Sequence, residues 1–286
     1  MTYWNEINDS HIKFWNSDKY PSYYKIKNSI NKQGYRSDVL KPSEVVYLGT
    51  CDVMASIDQG DLRWTSVLHR NRHFDQPYIA LGTVASGLPA MIRRLYSYIQ
   101  NFGSPKYVYM TVPRIDSYEF VNKSGNCYNL SSRTGSARFA LKAGLVDEQE
   151  FDIWVAQLEA NKRLNNPENI KYILEERFAF IETICKAYDI KLKWTFNPSD
   201  ASIVVLYRNL SAFKDISDFM KESFVGLPEA KDTLGDRTIG IETHFEIYEK
   251  FVGDDKWDYD RLSQQAEINY NWLKNQFGDE LIRIEV

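Results

Sequence analysis

The sequence predicts an α/β protein, a three-layer α/β/α sandwich with a parallel sheet at its centre. The main observation is three short runs of β-forming residues, at 45–48, 78–81 and 107–112. Apolar residues at helical spacing separate each run from the next, and the connections are short. Strands that alternate with helices in this way form βαβ units, which have parallel strands covered by helices.

The first strand, at 45–48, ends at Gly49 and is followed by a turn that contains Cys51. A tight turn after a buried strand lifts a Ser or Cys side chain clear of the sheet. The start of the next helix adds free backbone N–H groups and a positive dipole end, which stabilise a developing oxyanion. Cys51 is therefore a candidate nucleophile. The alternative is a buried Cys without chemistry, because free Cys often behaves as a small core residue.

The second strand, at 78–81, ends in a glycine-rich turn with Gly82 and Gly87. A phosphate-binding P-loop would have Lys and then Ser or Thr after the second glycine. Leu88 and Pro89 occupy those positions, so a nucleotide-binding site of this kind is the weaker alternative. Pro89 suits the first turn of a helix, where its missing N–H is not needed.

The helix after this turn carries an apolar stripe, and its spacing places Arg93 and Arg94 outward. The third strand, at 107–112, ends in a polar loop that contains Arg114. Ligands of open parallel sheets bind outside the carboxyl ends of the strands. We therefore expect the ligand site among the loops that follow the first three strands.

Residues 117–166 interrupt the alternation of strands and helices as an insert, in which 122–135 is predicted to be a loop. We expect this insert to lie outside the sheet and to cover part of the cleft, because so long an interruption is uncommon in compact domains. The remaining predicted elements are helices near 136–144, 148–163, from 168, at 241–251 and at 259–277, and strands at 190–196, 203–207 and 281–286.

Residues 1–40 are predicted to form an aromatic-rich arm ahead of a domain at 41–286. The arm packs either on its own domain or on a partner chain, by self-association or with another protein.

The composition excludes several classes of protein. The net charge of −4 offers no basic surface for nucleic acid, and the sequence contains no run of 18 apolar residues that could span a membrane. The N-terminus lacks the charged and apolar regions of a signal peptide. Three widely spaced cysteines without a CxxC pair argue against a disulfide framework. We therefore expect a cytoplasmic protein.

Two pairs of polar residues could suggest other chemistry. His69 and His73 are four residues apart but lack a third ligand at a convincing spacing, so we expect a surface pair and no metal. Asp232 and Asp236 could be paired carboxylates, although such residues more often form turns and helix caps. No motif indicates a cofactor.

Four segments together resemble the SGNH, or GDSL, hydrolase superfamily, and more narrowly the SGNH-like proteins of tailed phages. They are 34–37, 45–51, 81–87 and 240–244. The resemblance implies a flavodoxin-like parallel sheet and metal-free hydrolysis of esters, often of acetyl groups on carbohydrates. In this family the first turn supplies a Ser nucleophile, and a glycine and an Asn complete the oxyanion site. A His near the C-terminus is the base, and an Asp three residues earlier orients it.

The first two turns match the family in part. Cys51 stands where the Ser is expected, Thr50 stands where the Asp of the GDS signature is expected, and Gly49 precedes them. A thiol is the better nucleophile, but only as the thiolate. Gly82 and Gly87 are the candidates for the second oxyanion N–H, with Ala85 as the alternative alignment.

The other two loops depart from the family. The third loop has no Asn at the expected position, and Arg114 is the only nearby donor. In the last loop Thr238 or Ile239 stands where the His is expected, with Asp236 near the expected Asp. His244 lies further on, more than one helical turn into the following helix. It is either a buried helical His or a displaced base.

These departures fall on the nucleophile, the oxyanion donor and the base. The resemblance therefore predicts a degenerate SGNH-like domain with little or no esterase activity. Such a domain would serve as a structural or glycan-binding component, plausibly of a phage virion. The alternative is an active carbohydrate or acyl esterase that uses Cys51, Asp236 and His244.

Overall fold

The computed structural model describes most of the region between 40 and 253. The described residues are 40–50, 53, 63–82, 87–112, 118–121, 123, 127–130, 134–142, 144, 146–164, 166–198, 215–229, 231 and 241–253. Their strands are β1 (Val45–Leu48), β2 (Tyr78–Ala80), β3 (Tyr107–Val112), β4 (Tyr118–Val121), β5 (Cys127–Leu130) and β6 (Lys191–Phe196). Their helices are α1 (Trp64–Arg72), α2 (Leu88–Phe102), α3 (Thr134–Lys142), α4 (Glu148–Leu164), α5 (Pro167–Ala187), α6 (Asp218–Glu222) and α7 (Ile241–Val252).

Four strands form one parallel sheet in the order β2–β1–β3–β6. Val46 of β1 pairs with Ile79 of β2 on one side and with Val108 of β3 on the other. Met110 of β3 pairs in turn with Trp194 of β6. Because all four strands run in the same direction, their carboxyl ends lie at one edge, called here the carboxyl edge. The strand order is that of flavodoxin-like sheets.

One face of the sheet packs against α2 and α5. Alternate residues of each strand point to this face, as the two-residue period of a strand requires. Trp194 of β6 is fully buried there, with its ring centroid 4.6 Å from that of Phe178 in α5. The stripe of α2 that the sequence predicted lies against the same core, through residues such as Leu95.

The opposite face packs against α1 and α7. Tyr47 of β1 and Tyr109 of β3 point to this side, and Trp64 of α1 stacks on Phe251 of α7 with centroids 4.9 Å apart. Helices thus cover both faces of a parallel sheet, and the predicted α/β/α fold is confirmed. The four predicted strands of this sheet differ from the observed ones by no more than one residue at either end.

The insert contributes a hairpin and two helices. β4 and β5 pair with each other, antiparallel, as a separate two-stranded sheet. The prediction that 122–135 is a loop was therefore wrong at 127–130, where the alternating residues pair with β4. α3 and α4 enclose a small core of their own around Trp154. Coverage of the cleft by the insert stays a prediction.

The prediction that Arg93 and Arg94 face outward was wrong. Arg93 is 6% exposed, and its guanidinium donates to both carboxylate oxygens of Glu119, the shortest distance being 2.6 Å. Glu119 belongs to β4, so the hairpin covers the side of α2 that the sequence assigned to solvent. Arg94 is fully buried. Amphipathic spacing located the helix correctly but could not show that a second layer lies over it.

Several predictions fall outside the described residues. They are the arm up to residue 39, the strands at 203–207 and 281–286, and the helix at 259–277. No helix in the described part of the chain is long and apolar enough to cross a membrane.

Candidate functional site

The carboxyl edge collects residues that follow three strands of the sheet. Gly49 and Thr50 follow β1, Gly82 lies just past β2, and Asn197 follows β6. The N–H of Asn197 donates to the carbonyl of Val112, the last residue of β3, at 2.9 Å. Gly49 and Gly82, two of the predicted oxyanion residues, thus lie at the ends of adjacent strands.

A side-chain hydrogen bond ties two of these strand ends together. Asn197 Nδ2 donates to Thr50 Oγ1 at 3.3 Å, and the Asn197 side chain is mostly buried. The carbonyl of Thr50, which follows β1, also accepts from the N–H of Val53 at 3.2 Å. These contacts flank Cys51 in the sequence. Cys51 itself lies outside the described residues.

Gly87 marks the start of α2 near the same edge. Its backbone is extended, and its carbonyl accepts from the N–H of Met91 at 3.2 Å. A glycine has no side chain to cap the first turn, and Pro89 occupies the first turn as predicted. Ala85 lies outside the described residues, so the alignment of this turn with the family stays open.

Two other predicted site residues, Asp236 and Arg114, lie outside the described residues, as do Thr238 and Ile239. Their assigned roles stay predictions.

His244, predicted to be either a buried helical His or a displaced base, lies in the first turn of α7. Its side chain is fully buried, and its Nδ1 accepts from the backbone N–H of Trp64 at 3.4 Å. Trp64 is the first residue of α1, and the residue before it, Arg63, makes no side-chain cap. The imidazole therefore satisfies a backbone N–H that a helix start otherwise leaves unpaired.

This contact fixes the protonation state of His244. A backbone N–H can only donate, so Nδ1 presents its lone pair and the neutral ring carries its hydrogen on Nε2. Nε2 has no hydrogen-bond partner among the described residues. Burial, and secondarily the charge of Arg63, lowers the pKa of His244 to about 3. The ring is therefore neutral near pH 7 and accepts a proton with difficulty.

His69 and His73 are not the surface pair that the sequence predicted. They are 9% and 5% exposed, because the end of α1 packs against the sheet. Nε2 of His73 lies 2.7 Å from the hydroxyl of Tyr109, and the His69 ring packs on that of Tyr78 with centroids 4.0 Å apart. Burial lowers the pKa of both, that of His69 to about 4. The amphipathic period missed this, since it treats His as polar.

This histidine and tyrosine cluster lies away from the carboxyl edge. The ring of His73 also packs on Tyr107, the first residue of β3, with centroids 4.9 Å apart. The cluster is thus near the amino end of the sheet. In the part of the chain that the structure describes, no group of three or more His, Cys, Asp or Glu residues could hold a metal.

Asn197 is the residue of the carboxyl edge that the sequence reasoning missed. Asn197 directly follows the predicted strand at 190–196, so the rule that ligands bind at carboxyl strand ends could have pointed to it. The family resemblance instead implied an Asn in the loop after β3. The contact with Thr50 depends on β6 lying beside β3, and sequence spacing does not show that order.

No protein-family model matches the chain, and no curated protein matches it. Among solved structures, the chain is similar to the psychrotrophic esterase EstA from Pseudoalteromonas sp., with 11% identity and a TM-score of 0.40. That similarity covers 78% of this chain and 98% of the esterase. It is also similar to a protein from Bacteroides fragilis proposed to be an acylhydrolase, with 14% identity and a TM-score of 0.38. There it covers 80% of this chain and 92% of the other. Likenesses at this level assign no function to the chain.

Proposed function

We propose that the chain is an SGNH-hydrolase-like domain that has lost most or all ester hydrolysis and binds a carbohydrate or acyl-ester ligand at its carboxyl edge. The observation that carries this proposal is the state of His244. It is the only histidine near the late loop of the sequence, and it is buried with its Nδ1 lone pair engaged by the N–H of Trp64.

A general base must present a free lone pair to the proton that it removes. In His244 the free nitrogen, Nε2, carries the ring hydrogen, so it could donate but not accept. Moving the hydrogen to Nδ1 would place two N–H groups against each other and leave the Trp64 N–H unpaired. The lowered pKa adds to this, because the buried imidazolium would be poorly stabilised. Without a base, a Cys at position 51 depends on its surroundings alone to form a thiolate.

The resemblance to SGNH-like phage proteins extends the proposal to a structural or glycan-binding role in a virion. The partners would be other virion proteins, or a second copy of the chain bound through the arm at 1–40. Light scattering of the full chain over a concentration series tests self-association. A mass that stays at one chain throughout would remove the second copy from the proposal.

The proposed loss of hydrolysis is tested with p-nitrophenyl acetate and acetylated sugars. We expect the same background rate from the wild type, Cys51→Ala and His244→Gln, in which Gln keeps an acceptor for the Trp64 N–H. His73→Gln is the matched control, because it removes a buried imidazole far from the carboxyl edge. Wild-type turnover that both site substitutions abolish, and that the control retains, would contradict the proposal.

Ligand binding is tested separately, by titrating acetylated sugars into the wild type in a calorimeter. Saturable binding without product is the expected result. An absence of binding by every sugar in the series would contradict the ligand class.

An active cysteine esterase is the second candidate. The contact between the Thr50 carbonyl and the Val53 N–H, at 3.2 Å, supports it, because the described residues on either side of the candidate nucleophile lie close together. The assay above separates the two candidates.

A further inference from the structure

We propose that Asn197 is a positioning residue of the carboxyl edge, and that it acts by holding the side chain of Thr50. The inference rests on the proposed function in one respect, that the carboxyl edge is the ligand site. It assigns to a residue after β6 the role of fixing the position of Thr50, which follows β1.

The first reason is the path of the hydrogen bond. β1 and β6 are not neighbours, because β3 lies between them. Two strand spacings separate them by about 10 Å. The bond from Asn197 Nδ2 to Thr50 Oγ1, 3.3 Å long, therefore passes over the end of β3. It links two strands that no backbone ladder joins.

The second reason is that Asn197 is itself held firmly. Its N–H donates to the Val112 carbonyl at 2.9 Å, which extends the β3–β6 ladder by one residue. Pro198 follows, and the residue before a proline is restricted to extended backbone. The side chain is 8% exposed. An amide fixed in this way can set the position of the Thr50 side chain with which it pairs.

The third reason is what Thr50 controls. Its carbonyl accepts from the Val53 N–H at 3.2 Å, while its hydroxyl accepts from Asn197. Thr50 is thus held at its main chain and at its side chain, directly before Cys51 in the sequence. Asn197 does not titrate near neutral pH, so its contribution is geometric and not that of an acid or a base.

The thiol of Cys51, the next residue in the sequence, provides a reporter for the position of Thr50. We would alkylate the full chain with iodoacetamide over a range of pH and quantify each cysteine by peptide mass spectrometry. The variants are Asn197→Leu, which removes the amide at similar size, Thr50→Val, which removes the hydroxyl, and the double variant. Thr50→Ser keeps the hydroxyl and should restore the wild-type profile.

Two controls separate local effects from unfolding. Thr195→Val removes another part-buried hydrogen bond of β6, from Thr195 Oγ1 to the Gly226 carbonyl. Cys185 is buried, and burial raises the pKa of its thiol to about 12. Alkylation of Cys185 in the same sample therefore reports opening of the fold.

We expect Asn197→Leu and Thr50→Val each to change the Cys51 alkylation rate about fivefold, the effect of losing one hydrogen bond. The double variant should show the same change as either single one, because both remove the same interaction. Thr195→Val should keep the wild-type rate, and Cys185 should stay unreactive in every variant.

Three results would overturn the inference. The first is a Cys51 alkylation rate that all variants share, whether that rate is fast or as slow as that of Cys185. The second is additive effects in the double variant. The third is an equal change in Thr195→Val. These results do not depend on ester turnover. Failure of the proposed function would instead appear as hydrolysis by the wild type, so the two failures are distinguishable.

Discussion

The two faces of the sheet are built from the same strands but differ in chemistry. Val46 points to the face covered by α2 and α5, while the next residue, Tyr47, points to the face covered by α1 and α7. The first face packs aliphatic side chains with Trp194 and Phe178. The second face, by contrast, buries tyrosines together with histidines, among them His69.

The difference shows where this fold can tolerate polar groups. Tyr47 Oη and His69 Nδ1 are buried and have no hydrogen-bond partner among the described residues. A buried polar group without a partner costs about 1–3 kcal/mol. These two groups therefore reduce the stability that packing on the second face provides. His244, on which the proposed function depends, belongs to this second face, which α1 and α7 cover.

The largest expected effect is on the apolar face. Phe178→Ala should lower the free energy of unfolding by about 3–5 kcal/mol, because it leaves a cavity beside Trp194. Urea unfolding measures the loss, which should be the same at pH 7 and pH 5. Phe180→Ala is the matched control on the same helix, since that side chain is 49% exposed. Equal losses in the two variants would mean that the α5 face does not carry the core.

The second prediction concerns acid sensitivity of the α1 and α7 face. The folded pKa of His69 is about 4, below the ordinary value of 6.5, because of burial and, second, the charge of His73. At pH 7 both the folded and the unfolded protein hold this ring neutral. As the pH falls below 6.5, the unfolded chain binds the proton first, so the stability decreases down to about pH 4. Tyr47 and Tyr78 are the other titratable groups that face the ring.

His69→Phe keeps a packed ring but cannot titrate. Between pH 6.5 and 5, we expect the wild type to lose about 1 kcal/mol more stability than this variant. That is about half the ideal linkage value. Urea unfolding at both pH values measures the difference. Hydrogen exchange at pH 5 should show α1 opening before α5. An identical loss in wild type and variant would contradict the assignment.

Sequence alone located the main sheet because each strand is a continuous run of β-formers bounded by turn residues. It could not separate the two faces, since the alternation within β1 is between Val and Tyr, both of which a buried strand accepts. It also could not show that β4 covers Arg93, because pairing between distant segments leaves no local period. The Asn197 contact was hidden for the same reason. A residue whose contact joins segments that are distant in sequence is found only once the strand order is known.

The smallest expected effect lies at the start of α5, the helix that completes the apolar face. The Asn166 side chain accepts from the N–H of Asn169 at 2.9 Å, and Pro167 occupies the first turn. This cap is exposed, so water replaces much of the lost bond when the side chain is removed. Asn166→Ala should therefore cost about 1 kcal/mol, and Asn166→Asp should retain the acceptor and most of the stability. The loss, measured by urea unfolding, should not change between pH 7 and 5, in contrast to that of His69. A loss as large as that of Phe178→Ala would show that formation of α5 depends on its first turn more than on its packing against Trp194.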